Sequence, residues 1–412
     1  MRPVLTAAPD ASVDVGVLGA GPAGCAAALG LHRLRYSVAI LGRPRPAASE
    51  GLGERCVARL REAGLERAAA AAGRSAPRIG VWAGTRSTRG RECPIDRTAF
   101  DEALALDLAL AGLRLDRRAA RAIAADAGVG WRIDTAQGSL RCRAILDARG
   151  RRSGGVERLG PRLVAWSERW RIAAGGGPGS AVVAIDDGWC WFARDANGIL
   201  QRQFICAPRT RLDREQLRER FETATATLQE DAFSTQRAQF LGARATAAVM
   251  RRADAAPSPG RLRIGDAALA LDPLAGHGVH EALQSARVGV AAIHSYLDGT
   301  DWTPIARFVR ERSDEVWRRA VATAGTFYRE QARSLPGAPF WAAAADHYER
   351  LSVDANARID AGAGRFERRP VLNGERIELR PVWVSARWPR GVWRAAVTRA
   401  SREVRDEHDE QS

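Results

Sequence analysis

The hexapeptide GAGPAG, Gly19 to Gly24, stands between an apolar run at 12–18 and an Ala/Leu-rich stretch reaching about residue 34. In that setting Gly19 permits a tight turn, Gly21 lets backbone amides approach a pyrophosphate, and Gly24 lets a helix pack closely on a sheet. The helix start at Pro22 and Ala23 offers unpaired N–H groups and a positive dipole to the phosphates. A second apolar run at 37–41 completes a strand, turn, helix, strand unit, and dinucleotide binding follows from it. The acid that usually ends the second strand and holds a ribose is missing, with Gly42 and then Arg43 in its place. Arg43 either stacks on adenine or meets a phosphate, or it is an exposed loop arginine.

A second constellation lies in GDAALALDPLAGHG, 265–278. Asp266 follows a short strand at 261–264 and a glycine. Pro273, Gly276 and Gly278 precede a long helical stretch, which aims another helix N-terminus at a negatively charged or electron-accepting group. Glu54, in GLGERCVARLREAGL, opens a further helix, and its carboxylate either caps that helix or takes part in chemistry. Asp96 and Arg97 form a polar turn at the head of an amphipathic helix within 91–113.

The elements that must hold these groups show the same kind of patterning. A hairpin at 131–147 ends in a buried strand leading into DARGRRS, and 160–207 alternates strands with glycine turns. Trp166, Trp170, Trp189, Trp191 and Phe192 in that block either wall a pocket or fill a core. A helix at 213–229 closes the region, residues after about 301 read as helical, and 401–412 reads as a polar, frayed end. The division expected is a discontinuous nucleotide-binding domain at 1–160 and 255–300, a β-rich substrate domain at 161–254, and a C-terminal helical region at 301–412.

Composition narrows the chemistry. The 412 residues carry 63 basic and 48 acidic side chains, a formal charge of +15, and every cation is an arginine. Without lysine, no Schiff base, phosphate-binding P-loop lysine or other catalytic amine can operate. The arginines are dispersed and bring no RNP, zinc-finger or basic-helix pattern, which argues against nucleic acid. Cys25, Cys56, Cys93, Cys142, Cys190 and Cys206 stand singly with no C-x-x-C pair, so no metal site is expected and they read as reduced, packed cysteines of a cytoplasmic protein. MRPVLTAAPD lacks the apolar region of a secretory signal, and no run of about 18 apolar residues offers a membrane span.

GAGPAG, IDRTAFDEAL near 100, LDARGRRS near 150 and GDAALALDPLAGHG near 270, in that order and spacing, resemble the p-hydroxybenzoate-hydroxylase-type FAD fold. That is an α/β fold with a Rossmann-type FAD-binding domain, a β-sheet substrate domain and a C-terminal helical segment. The chain is similar to the branch that holds tryptophan halogenases, geranylgeranyl reductases and the maturation flavoproteins of quinone-cofactor enzymes. TFYREQARSLPGAPFW, 326–341, resembles the C-terminal helices of the last group. The resemblance implies FAD, with Gly19, Gly21, Pro22, Ala23 and Gly24 at the pyrophosphate and Arg97 beside it. It implies Asp266 on the ribityl or pyrophosphate linker and Pro273, Gly276 and Gly278 beside the isoalloxazine. Glu54 and His277 are the catalytic candidates it implies, His277 being a flavin-edge or substrate contact or else a surface imidazole. Trp189 and Trp191 are the candidates for the substrate pocket. Tryptophan halogenases use an active-site lysine, and this chain has none.

The activity so implied is monooxygenation of an electron-rich aromatic ring through a flavin C4a-hydroperoxide, with O2 and with electrons from NADH, NADPH or a separate flavin reductase. The expected substrate is a tryptophan residue of an acidic partner polypeptide, a quinoprotein subunit precursor in tryptophylquinone biogenesis, steered by the dispersed arginines. A small-molecule aromatic hydroxylase would need the same apparatus. An isoprenoid-type flavin reductase and a flavin-binding chaperone are the alternatives that consume no oxygen.

Overall fold

The computed structural model describes residues 11–127, 130–172, 177–208, 212–228, 231–254, 256–357 and 365–384. The expectations for the first ten residues and for 401–412 lie outside them. The helices are α1 (Pro22–Arg33), α2 (Glu54–Glu62), α3 (Glu66–Ala71), α4 (Arg97–Leu110), α5 (Arg214–Leu228), α6 (Gly278–Leu297), α7 (Trp302–Ser334) and α8 (Pro339–Ala357). Among the described residues, no helix is long and apolar enough to cross a membrane.

Ala11–Leu18, whose Val15 and Val17 are fully buried, pairs in parallel with Val38–Leu41 on one side and Gly138–Asp147 on the other. Arg261–Arg263 adds a parallel partner to Gly138–Asp147, and Ala122–Asp126 and Gly130–Thr135 extend the sheet antiparallel. α1 and α6 pack on this sheet because their facing residues are small. A Cβ at Gly30 of α1 would stand 2.9 Å from Val290 Cγ2 of α6, and a Cβ at Gly289 would stand 2.7 Å from Ile264 Cγ2. This is the Rossmann-type half that the sequence predicts.

The second sheet is larger than the β-rich block at 161–254. Its order is Gln239–Ala247, Val164–Arg171, Ile199–Cys206, Gly188–Arg194, Gly179–Ile185, Ala76–Trp82, Thr85–Asp96 and Ser49–Gly53. Three of the eight strands therefore come from the segment assigned to the nucleotide-binding domain. Ser49–Gly53 reads locally as a glycine turn and becomes an edge strand only by pairing with Thr85–Asp96. A Cβ on Gly51 would lie 2.0 Å from Glu92 Oε1, so a larger residue there must displace the Glu92 carboxylate.

Strand alternation divides the aromatic residues of the block between two layers. Trp189 and Trp191 face α7 and α8 with Trp82, Trp317, Tyr328 and Trp341, while Trp166, Trp170 and Phe192 face α5 with Phe221. They do not wall one common pocket. Burial pushes the Cys25, Cys56 and Cys142 thiols up to about 12, consistent with packed, unreactive cysteines.

The C-terminal region departs from the expectation of an all-helical segment. α7 and α8 are followed by a hairpin, Arg365–Asn373 with Arg376–Val384, closed opposite Asn373↔Arg376. Gly374 in its turn has φ +59°. Asn373 pairs with Arg376, so the two-residue loop is Gly374 and Glu375, with glycine at the first central position. Ile377 docks the hairpin, its N–H donating to Ser295 Oγ of α6 at 2.8 Å.

Candidate functional site

The parallel register fixes where the site forms. Leu18 lies beside Leu41 and beside Asp147, and Asp147 lies beside Arg263, so these strands end on one edge. The loops that begin there are GAGPAG, Gly42–Arg45, Arg149–Ser153 and Gly265–Ala267. An open parallel sheet places its ligand outside this edge.

Gly19 has φ +112°, and a Cβ there would stand 2.2 Å from the Ala148 carbonyl. A Cβ on Gly24 would stand 1.8 Å from the Gly19 carbonyl. Gly21 caps α1 with no side chain on the free N–H groups, and Pro22 occupies the first turn. The missing ribose acid has a steric cause: a Cβ at Gly42 would meet both Ala20 N and Ala20 Cβ at 2.6 Å. Arg43 beyond it is exposed.

Arginines surround the open start of α1. Arg45 binds Asp101 of α4 through Nε at 2.8 Å and again through Nη2. The nearest atom to a Cβ at Gly21 is Arg45 Nη1, at 3.6 Å. Arg97, the first residue of α4, pairs with Glu50, and its buried Nε has no hydrogen-bond partner. Burial and the charge of Arg45 lower its pKa to about 9, with Asp101 opposing, Arg244 adding to the fall and Asp266 opposing. It remains charged at neutral pH. Asp266 itself pairs with Arg151 Nε at 3.3 Å. A diphosphate between α1 and Arg97 would supply the acceptor that Arg97 Nε lacks and would balance Arg45, Arg97 and Arg244, so these residues fit FAD.

Asp147 supports the same edge from below. Burial acts to raise its pKa, but bonds from Arg149 at 2.9 and 2.6 Å and from Ser153 Oγ at 2.9 Å hold the carboxylate below its ordinary range. Sequence reasoning missed Arg45, Glu50 and Arg244, because no local spacing brings these distant segments together; the partners of Asp147, by contrast, stand two and six positions on, within DARGRRS.

A second helix start follows the Gly265–Ala267 loop. Pro273–Ala275 is a 3-10 turn capped by Asp272, Gly276 turns left-handed at φ +64°, and Gly278 opens α6. His277 caps α6 without a side-chain bond and keeps an exposed edge. Partial burial, then Arg78 and Arg55, lower its pKa below the ordinary histidine value, so it is neutral at pH 7. The folded state thus binds this proton less readily than the unfolded chain, so its contribution to stability is complete above about 6.5 and is lost as pH falls below that value through the lower folded pKa. His277→Asn is expected to narrow the drop in melting temperature between about pH 7.5 and pH 5.5; an unchanged drop would assign the acid sensitivity elsewhere.

Glu54 is the first residue of α2, with its side chain 60% exposed, accepting from Ser75 Oγ at 2.7 Å and lying 3.2 Å from Arg91. Exposed pairs of this kind contribute little, so Glu54→Gln is expected to cost less than about 1 kcal/mol in a denaturant melt. Flavin absorbance of the purified variant, if equal to wild type, assigns Glu54 to the helix start; its loss would assign Glu54 to the flavin.

No family model and no curated protein matches the chain. Solved structures do. The peptidyl tryptophan dihydroxylase QhpG, described as essential for tryptophylquinone cofactor biogenesis, matches with a TM-score of 0.76 and 31% identity over 93% of this chain and 90% of its own. The flavin-dependent halogenase CmlS matches with a TM-score of 0.72 and 18% identity over 92% of this chain and 87% of its own. The myxobacterial chondrochloren halogenase CndH, an FAD-dependent enzyme, matches with a TM-score of 0.64 and 20% identity over 84% and 90%. Fold and cradle together define a flavin-dependent oxidoreductase of the aromatic hydroxylase and halogenase type, with FAD as its cofactor. Within that class the chain belongs to the family of the peptidyl tryptophan dihydroxylase, and the two halogenases share its fold.

Proposed function

We propose that this protein oxygenates the indole of a tryptophan residue in a partner polypeptide, taking oxygen from O2 and electrons from NADH, NADPH or a separate flavin reductase. The observation that carries the reading is the likeness, over 93% of the chain, to a peptidyl tryptophan dihydroxylase. FAD, when bound, supplies reductive oxygen activation and transfer to an electron-rich ring. Gly19, Gly21, Pro22, Ala23 and Gly24 present the α1 N–H groups to its pyrophosphate. Arg97 and Arg45 neutralise that charge, Asp266 accepts from ribityl hydroxyls, and Arg43 meets the adenine side.

Pro273, Gly276 and Gly278 place the positive end of α6 against the isoalloxazine, where it stabilises negative charge on the ring. His277, neutral on that turn, would offer a ring N–H as a hydrogen-bond donor beside the isoalloxazine. An indole is nucleophilic without deprotonation, so no strong base is required, and Glu54 need not serve as one. Trp191 is only partly buried and is the better substrate contact, while Trp189 on the same face is buried. Halogenation through a lysine has no residue to carry it.

The partner is an acidic polypeptide, a quinoprotein subunit precursor, because a chain of charge +15 with arginine as its only cation favours such a surface. High salt then slows association. The experiment mixes flavin-loaded protein, reductant and oxygen with a tryptophan-containing partner polypeptide and weighs the product. Gains of one or two oxygen atoms localised to tryptophan are expected; no gain on any such partner would sink the reading.

A further inference from the structure

We propose that Asp272 is the positioning residue of the flavin-facing turn, held by Tyr328 and Tyr348 so that α7 and α8 set where that turn sits. The proposal rests on the functional reading above, which puts Pro273 to Gly278 against the isoalloxazine.

Asp272 is 2% exposed. Its Oδ1 accepts the Leu274 N–H at 2.8 Å, which shapes the 3-10 turn from within. Its Oδ2 accepts the Tyr348 hydroxyl at 2.5 Å and, at the longer distance of 3.5 Å, the Tyr328 hydroxyl. One donor thus comes from the turn, one from α7 and one from α8. The two tyrosine rings are fully buried and stack with centroids 5.2 Å apart and planes 12° from parallel. Tyr328 also packs on Trp341, so its ring cannot swing away without opening that aromatic layer.

A polar group at the bottom of an apolar core is costly unless each lone pair is used, and an aliphatic residue of similar size would hold the helices at less cost. What only the carboxylate supplies is direction. It ties the turn, through two separate hydroxyls, to one position relative to α7 and α8. Gly276 then reverses the chain and α6 begins at Gly278, so a shift of Asp272 moves the helix start that faces the flavin ring. Burial also acts to raise the pKa of Asp272, with the hydroxyl and N–H bonds opposing it.

The test compares four full-length proteins: wild type, Tyr348→Phe, Tyr328→Phe and, as control, Trp317→Phe. Trp317 lies in the same layer on α7 with Arg252 over its ring at 5.2 Å, and it makes none of the Asp272 bonds. Each is titrated with FAD, and melting temperature and the visible flavin band are recorded. Losing a hydrogen bond to the buried Asp272 carboxyl group should weaken FAD binding by roughly tenfold in Tyr348→Phe and shift the band, with a smaller effect in Tyr328→Phe. Trp317→Phe should lower the melting temperature and leave the dissociation constant and the band unchanged. If Tyr348→Phe fails to fold, Tyr328→Phe is judged by the same two readouts. The proposal is overturned if the folded tyrosine variants bind FAD with wild-type affinity and spectrum while their melting temperatures fall as in the control. Wild-type protein that takes up no FAD would instead overturn the functional reading, and is seen before any variant is measured.

Discussion

Gly24→Val is expected to yield protein without FAD and to lower unfolding free energy by about 3 kcal/mol or more. The first side-chain atom would stand 1.8 Å from the Gly19 carbonyl, a backbone atom with nowhere to go. Gly19 is fixed from both sides: its N–H donates to the Leu41 carbonyl at 2.6 Å, and the Ala148 carbonyl lies 2.2 Å from where its own Cβ would be. Relief must come from α1 lifting off the sheet, which separates Ala23 and Ala27 from the core around Val15 and Leu146. The same motion carries the free N–H groups of α1 away from the phosphate position. Gly73→Ala is the comparison, since Gly73 has φ +66° but open space around it. Its cost should be only the left-handed strain, about 1–2 kcal/mol, with flavin retained. Denaturant unfolding and flavin absorbance of the purified variants check both, and Gly24→Val protein that purifies yellow would contradict the argument.

That contrast also marks what a sequence can disclose. The glycines of GAGPAG, the helix start at Gly278 and the cap at Asp96 are local: each follows from a few neighbouring residues and the geometry of one turn. Asp96 does accept from Thr98 N at 2.7 Å and Ala99 N at 3.3 Å, as its position before α4 requires. The cradle around Arg97 is not local. Asp101 stands one turn on in the same helix, but Arg45, Glu50 and Arg244 reach it from three other segments, and their meeting is a product of how the two sheets assemble. The Asp272, Tyr328 and Tyr348 cluster is of the same kind, spanning residues 56 and 76 positions apart. Alternation along Gly188–Arg194 separates Trp191 from Phe192, and Gly374 after Asn373 marks the hairpin, so both features are legible in the sequence.

Arg97→Met separates binding from folding in a way that no glycine variant can. Removal of the guanidinium takes away the donor proposed to meet the pyrophosphate, and on that proposal FAD affinity should fall roughly a hundredfold, the worth of about two charged hydrogen bonds. It also leaves Glu50 without its cation, and a partly buried, uncompensated carboxylate should cost about 3 kcal/mol of stability. That is the low end for a buried pair, because the Arg97 and Glu50 side chains keep 20% and 22% of their surfaces exposed. The double variant Glu50→Gln with Arg97→Met removes both charges, so most of the stability should return while FAD binding does not. Arg97→Lys should fall between, since a point charge on a flexible stem replaces a planar fork. Melts of the apoproteins and FAD titrations of all four give the separation directly. Recovery of FAD affinity in the double variant would mean that Glu50, not the diphosphate, is the partner for which Arg97 is placed.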